Sequence, residues 1–201
     1  MGRIKNYAID SVVEDTDLVI GTDGGVDQNY VTKNYTVAAL KQHIQAGASL
    51  TGWARYDDTV YNASNKLALV DGVAVTIPNN AGNVVLSPGA PTFYNSVTQK
   101  LQATGVNNVY MLTVVFKASA SNTQTTHLDF SIYSPVGDFA RVSKVLTFAK
   151  GNGAEQNFHE VYQYYSDANF AANGAELKIN SHGGSAELWD VIYFIQKTQS
   201  A

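Results

Sequence analysis

Four histidines and seventeen carboxylates are the side chains of this 201-residue chain best suited to acid–base or metal chemistry. His127 and Asp129 stand two apart in a run where Leu128, Phe130 and Ile132 alternate with polar residues. Both therefore leave the same strand face, the geometry of a carboxylate that orients an imidazole for proton transfer. Alternation makes such pairs common on solvated faces, so the pair by itself assigns no catalysis. His43 falls near the end of an expected helix, His159 precedes Glu160, and His182 precedes Gly183-Gly184. None has the His-x-x-x-His or His-Glu-x-x-His spacing of a zinc site, so no metal centre is expected. The chain has no cysteine, which excludes disulfides, thiolate metal ligation and cysteine catalysis.

Other constellations fail on inspection. Gly183-Gly184-Ser185-Ala186-Glu187 lacks the second glycine of a serine-nucleophile elbow and leads into no helix. Asp23-Gly24-Gly25-Val26-Asp27 lacks the alternating acids and closing Glu of a calcium loop and reads as a turn with solvated carboxylates. Asp57-Asp58 precedes a strand, and no acid pair is recognisable as glycosidase machinery. Gly151-Asn152-Gly153 has no Lys-Ser/Thr behind it, so it is no phosphate loop. The reading is a chain with no catalytic residues and no cofactor. Tyr162, Tyr164 and Tyr165 in one strand, with Tyr61, Tyr94 and Tyr133 elsewhere, suit carbohydrate or protein contact if exposed, and core or subunit packing if not.

Composition narrows the class. Charged residues are 15%, against a usual quarter, while Asn, Gln, Ser and Thr supply 57 residues and aromatics 11%. Net charge −4 and pI ≈ 5.4, with no basic cluster, argue against nucleic acid. No run approaches the 18 or so apolar residues of a membrane span. Met1 to Asn6 carry two positive charges with no apolar stretch behind them, which is no signal peptide. Asn6 stands where myristoylation needs Ser or Thr.

The elements divide the chain in two. Residues 1–48 read as an arm. Leu18-Val19-Ile20, closed by Gly21, is a short strand before the turn Thr22-Asp23-Gly24-Gly25. A helix is expected at about 36–46, with Thr36 as N-cap, Val37, Leu40, Lys41 and Ile44 at helical spacing, and Gly47 ending it. Residues 46–52 read as a linker. Residues 49–201 then carry strand patterns at 56–61, 66–70, 73–77, 83–86, 109–117, 126–133, 141–148, 156–165, 175–180 and 186–196, with no helical pattern among them. That succession predicts a mainly β fold, an antiparallel jelly-roll sandwich behind a short N-terminal arm with one helix. Strands 109–116 and 186–195 are apolar on both faces, as in strands covered on both sides. One face of a two-layer sandwich meets water, so a second copy of the chain is expected over Met111, Val115, Trp189, Val191, Tyr193 and Ile195. The arm is the alternative cover.

Asp17-Leu18-Val19-Ile20-Gly21-Thr22-Asp23, followed by Thr32-Lys33-Asn34-Tyr35-Thr36-Val37-Ala38-Ala39-Leu40, resembles the opening of fibre and appendage proteins of tailed phages of the marine and cyanobacterial type. The remaining domain is similar in pattern to the trimeric jelly roll of the tumour-necrosis-factor type. Tyr56-Asp57-Asp58-Thr59-Val60-Tyr61, the 109–117 strand, Phe170-Ala171-Ala172-Asn173-Gly174-Ala175-Glu176 and the last strand carry that likeness. The resemblance implies a homotrimer on the exterior of a virion, without cofactor or reaction. It implies an anchor to capsid or tail proteins formed by Asp17, Gly21, Asp23, Thr32, Lys33, Asn34, Tyr35, Leu40 and Ile44. A chain this short lacks a fibre shaft, which favours a short appendage or capsid-decorating protein. The alternative is a receptor-binding knob for a host surface glycan.

Overall fold

The computed structural model describes residues 14–23, 31–40, 52–149 and 153–199. The chain forms two compact units, Met1–Ser49 and Leu50–Ala201. In the first, β1 (Leu18–Asp23) pairs antiparallel with β2 (Val31–Thr36), in a register that sets Leu18 against Thr36 and Gly21 against Lys33. Strand β1 thus runs through Thr22 and Asp23, where a turn was expected. Helix α1 begins at residue 37 and is described to residue 40. The Thr36 hydroxyl accepts from the Ala39 amide at 3.1 Å, the N-cap bond that satisfies one of the helix's free donors. Ile44 and the rest of the expected helix lie outside the described residues.

The second unit contains β3 (Gly52–Asp57), β4 (Leu67–Leu69), β5 (Val75–Thr76), β6 (Asn83–Leu86), β7 (Tyr94–Asn95), β8 (Lys100–Leu101), β9 (Val109–Ala120), β10 (His127–Ser134), β11 (Phe139–Thr147), β12 (Glu155–Tyr165), α2 (Ala168–Asn173), β13 (Ala175–His182) and β14 (Ala186–Gln199). One sheet runs β12-β9-β14-β3-β6 with β4 beside β14. The other runs β11-β10-β13-β8-β7 with β5 beside β13. Strand β3 pairs with β14, β8 with β13, β9 with β12 and β10 with β11, all antiparallel. These nested pairings are those of one long hairpin rolled into two sheets, which is a jelly roll.

The core fills the space between the sheets. Tyr110, Leu112, Val114 and Phe116 of β9 face Leu128, Phe130 and Ile132 of β10 and Leu177 and Ile179 of β13 across it, all buried. Burying one such side chain contributes about 1.5–3 kcal/mol. Alternation over residues 109–118 of β9 and throughout β10 and β13 puts every second residue inside.

Besides β7 and β8, which fall in no expected run, and the expected 56–61 strand, which ends at Asp57, three local features of the second unit depart from the sequence expectation. Strand β3 spans Gly52–Asp57, so part of the expected linker is strand. Helix α2 interrupts the strands, capped by Asp167, whose carboxylate accepts from the Phe170 amide, and ended by Gly174 at φ 71. Its six residues are held by burial of Phe170 rather than by any amphipathic period. The third departure lies in β14. Trp189 stands opposite Lys117 and Ile192 opposite Val115, so β14 carries one extra residue there. Asp190 takes φ 53, and this bulge reverses which side chains point inward.

Candidate assembly surface

The bulge corrects the expected interface. Beyond Asp190 the inward apolar residues of β14 are Val191, Tyr193 and Ile195, all fully buried in the core cluster, and not an outward apolar face. Tyr193 donates its hydroxyl to the Ile77 carbonyl at 2.9 Å inside the core. Trp189 is also buried, with the Lys66 ammonium 4.3 Å above its ring. Ile192 and Phe194 occupy the outer face.

Met111 and Val115 do lie on that outer face, half-buried. Register places Met111 between Gln196 of β14 and Gln163 of β12, Thr113 between Phe194 and Val161, and Val115 between Ile192 and His159. Trp53 of β3 stacks on Phe194, with ring centroids 5.5 Å apart and planes at 23°. His159 beside Val115 and Arg55 beside Phe194 are ionisable and flank an uncharged patch of Met111, Thr113, Val161 and Ile192. Charges stand at its rim and are paired within the chain. Arg55 reaches Asp57 at 2.7 Å, and Lys117 sits 3.3 Å from both Glu155 and Asp190, which raises the Lys117 pKa through hydrogen bonds first to Asp190 and then to Glu155. An apolar patch whose neighbouring charges are mostly paired within the chain offers another protein apolar contact with few unpaired charges to bury.

The sequence-derived anchor residues fall on one pair of strands. Gly21 and Asp23 lie in β1, and Thr32, Lys33, Asn34 and Tyr35 in β2. Asp17 precedes β1, and its carboxylate accepts from the Glu14 amide at 2.8 Å. Leu18 and Ile20 are 61% and 73% exposed, and Leu40 of α1 is exposed as well.

The tyrosines separate into two groups. Tyr94, Tyr162 and Tyr164 are buried, and burial pushes their hydroxyls well above the ordinary value. Tyr165 is exposed, and Tyr133 on the outer face of β10 lies under the Lys178 ammonium at 3.5 Å. Tyr133, Asp129, Ser131, Lys178 and Asn180 help line an open cleft of ≈ 550 Å³ on the outer face of the second sheet. His127 and Asp129 do share that face, at 3.7 Å. His182 joins them from β13, a member that the sequence spacing did not reveal, because only the β10–β13 register sets His182 opposite His127.

No family model matches the sequence, and no curated relative does. Solved structures similar to the chain include the Eiger tumour-necrosis factor of S. frugiperda, at 12% identity, covering 75% of this chain and 95% of that one with a TM-score of 0.45. They also include the PRD1 vertex protein P5, at 9% identity over 90% of this chain and 82% of that one, again with a TM-score of 0.45. A third is a Bacillus endospore appendage pilus protein, at 13% identity over 75% and 91% of the two chains with a TM-score of 0.31.

Proposed function

We propose that the chain is a virion structural protein, a short trimeric appendage or capsid-decorating protein on the exterior of a phage particle. Residues 1–48 attach it to capsid or tail proteins and residues 49–201 form the outward knob. The observation that carries the reading is the outer face of the β12-β9-β14-β3-β6 sheet. Met111, Val115, Val161, Ile192 and Phe194 form an apolar patch, and Arg55, Asp57, Lys117, Glu155 and Asp190 around it are engaged in ion pairs within the chain. A second copy of the same face would meet this patch with its own apolar residues. Exposed Leu18 and Ile20, in the segment that resembles phage appendage openings, support attachment by the arm. Several arms engaging a symmetric platform together would hold far more tightly than one. In this reading the chain performs no reaction.

Deleting residues 1–45 is expected to leave a folded oligomeric knob that no longer co-sediments with particles. Continued co-sedimentation would refute the arm, and a monomeric mass by light scattering would refute the assembly face. A second reading, a knob that grips a host surface glycan, is favoured by the open cleft, where Tyr133 offers a ring and Asn180 and Ser131 offer hydrogen bonds. Binding of the isolated protein to host cells, blocked by soluble host polysaccharide, tests it.

A further inference from the structure

We propose that His127, Asp129 and His182 bind a first-row divalent cation of the zinc, nickel or cobalt type, which clips β10 to β13. The three side chains come from neighbouring strands and leave the same outer face, His127 directly across from His182 and Asp129 across from Asn180. One ligand atom from each lies within 4.8 Å of the other two. Metal bonds of about 2.1 Å separate neighbouring ligand atoms by about 3–3.5 Å, so closing the cluster on an ion needs only small side-chain rotations. The imidazoles stack with centroids 4.7 Å apart at 17°, which holds both rings edge-on to the same space.

Hydrogen bonding prepares the ring nitrogens. The Thr126 hydroxyl lies 3.3 Å from the His182 carbonyl, to which it donates, and 2.8 Å from His127 Nδ1. With its proton spent on the carbonyl, the hydroxyl accepts from Nδ1–H, so His127 keeps an unprotonated Nε2. That lone pair faces Asp129 Oδ1 at 3.7 Å, two acceptors at a separation too long for a hydrogen bond and close to that of two ligands on one cation. His182 Nε2 lies 2.7 Å from Asp129 Oδ2 and 3.1 Å from Asn180 Nδ2. At 2.7 Å the Asp129 carboxylate accepts from His182 Nε2–H, so a bound cation would take the place of that proton and draw on both groups as ligands. Asn180 Oδ1 is buried and takes no hydrogen bond from the described residues, a further oxygen donor at the site's edge.

Two imidazoles and a carboxylate select borderline transition metals over calcium or magnesium, which take oxygen ligands. All three side chains are about a third to a half exposed, so an ion enters from solvent and keeps water in its remaining positions. The site forms only when β10 and β13 are paired, and binding therefore stabilises the native state.

The test uses the full chain stripped by chelator and titrated with Zn²⁺ alone, followed by calorimetry and thermal melting, with Co²⁺ absorption as a report on ligands. One ion per chain should bind, and at about a hundredfold excess over Kd the melting temperature should rise by about 5–10 °C. H127Q and D129N should each lose the shift and weaken binding at least tenfold, while H159Q, on exposed β12, should behave as wild type. These ligands are surface residues, so the variants' metal-free melts serve as the folding control. If H127Q fails that control, H182Q replaces it. No shift in the wild type, or a shift that survives both ligand substitutions, would overturn the proposal.

Discussion

Asp167 holds three donors with two oxygens. Its Oδ1 accepts from the Phe170 amide at 2.7 Å and from Arg141 Nη2 at 2.9 Å, and its Oδ2 from Arg141 Nη1 at 2.9 Å. One carboxylate thus caps α2 and neutralises a guanidinium that is only 9% exposed. Hydrogen bonds from Arg141, then from the Phe170 amide, hold its pKa below the ordinary carboxylate value. Because the folded state favours the ionised form, this stabilisation is complete above the unfolded value near 3.8 and disappears as pH falls through the lower folded value. Asp167→Ala removes cap and ion pair together and is expected to cost about 2–3 kcal/mol at pH 7. Asp167→Asn keeps the cap and should cost less. Denaturant midpoints of wild type and Asp167→Asn should converge in strong acid; a constant gap would mean that the carboxylate's charge contributes nothing.

At the scale of an element, β14 decides which residues the protein shows to its surroundings. A single extra residue at Asp190 sends Val191, Tyr193 and Ile195 into the core and Ile192 and Phe194 outward. Deleting Asp190 removes the bulge and forces either the upstream or the downstream half of the strand to present its wrong face. With three fully buried side chains at stake, the deletion is expected to abolish folding, as seen by loss of a cooperative melt. Asp190→Gly suits the positive φ and should stay within about 1 kcal/mol of wild type, its gain offset by the lost Lys117 contact. A deletion that melts like wild type would show that the bulge is dispensable. Strand β9 has no such interruption, and its two faces were legible as Tyr110-Leu112-Val114-Phe116 and Val109-Met111-Thr113-Val115.

For the whole molecule, the assembly face makes the decisive prediction. Met111→Arg places a charge among Gln196, Gln163 and their apolar neighbours, half-buried in one chain and fully desolvated between two. In the proposed assembly it should yield folded monomers in place of an oligomer, read by light scattering beside an unchanged melt of the isolated knob. An oligomer of unchanged mass would place the interface elsewhere. The strand-rich character, the alternation in β9 and β10, and the pairing of His127 with Asp129 were all legible beforehand, because they depend on the two-residue period of a single strand. Helix α2 was not, since six residues around one buried phenylalanine carry no period. The inward turn of Val191, Tyr193 and Ile195 and the arrival of His182 beside His127 were not legible either. A bulge and a strand register are set by packing between segments far apart in the chain: the alternation of side chains belongs to the sequence, and the choice of which face meets the core, and which strand lies alongside, belongs to the tertiary structure.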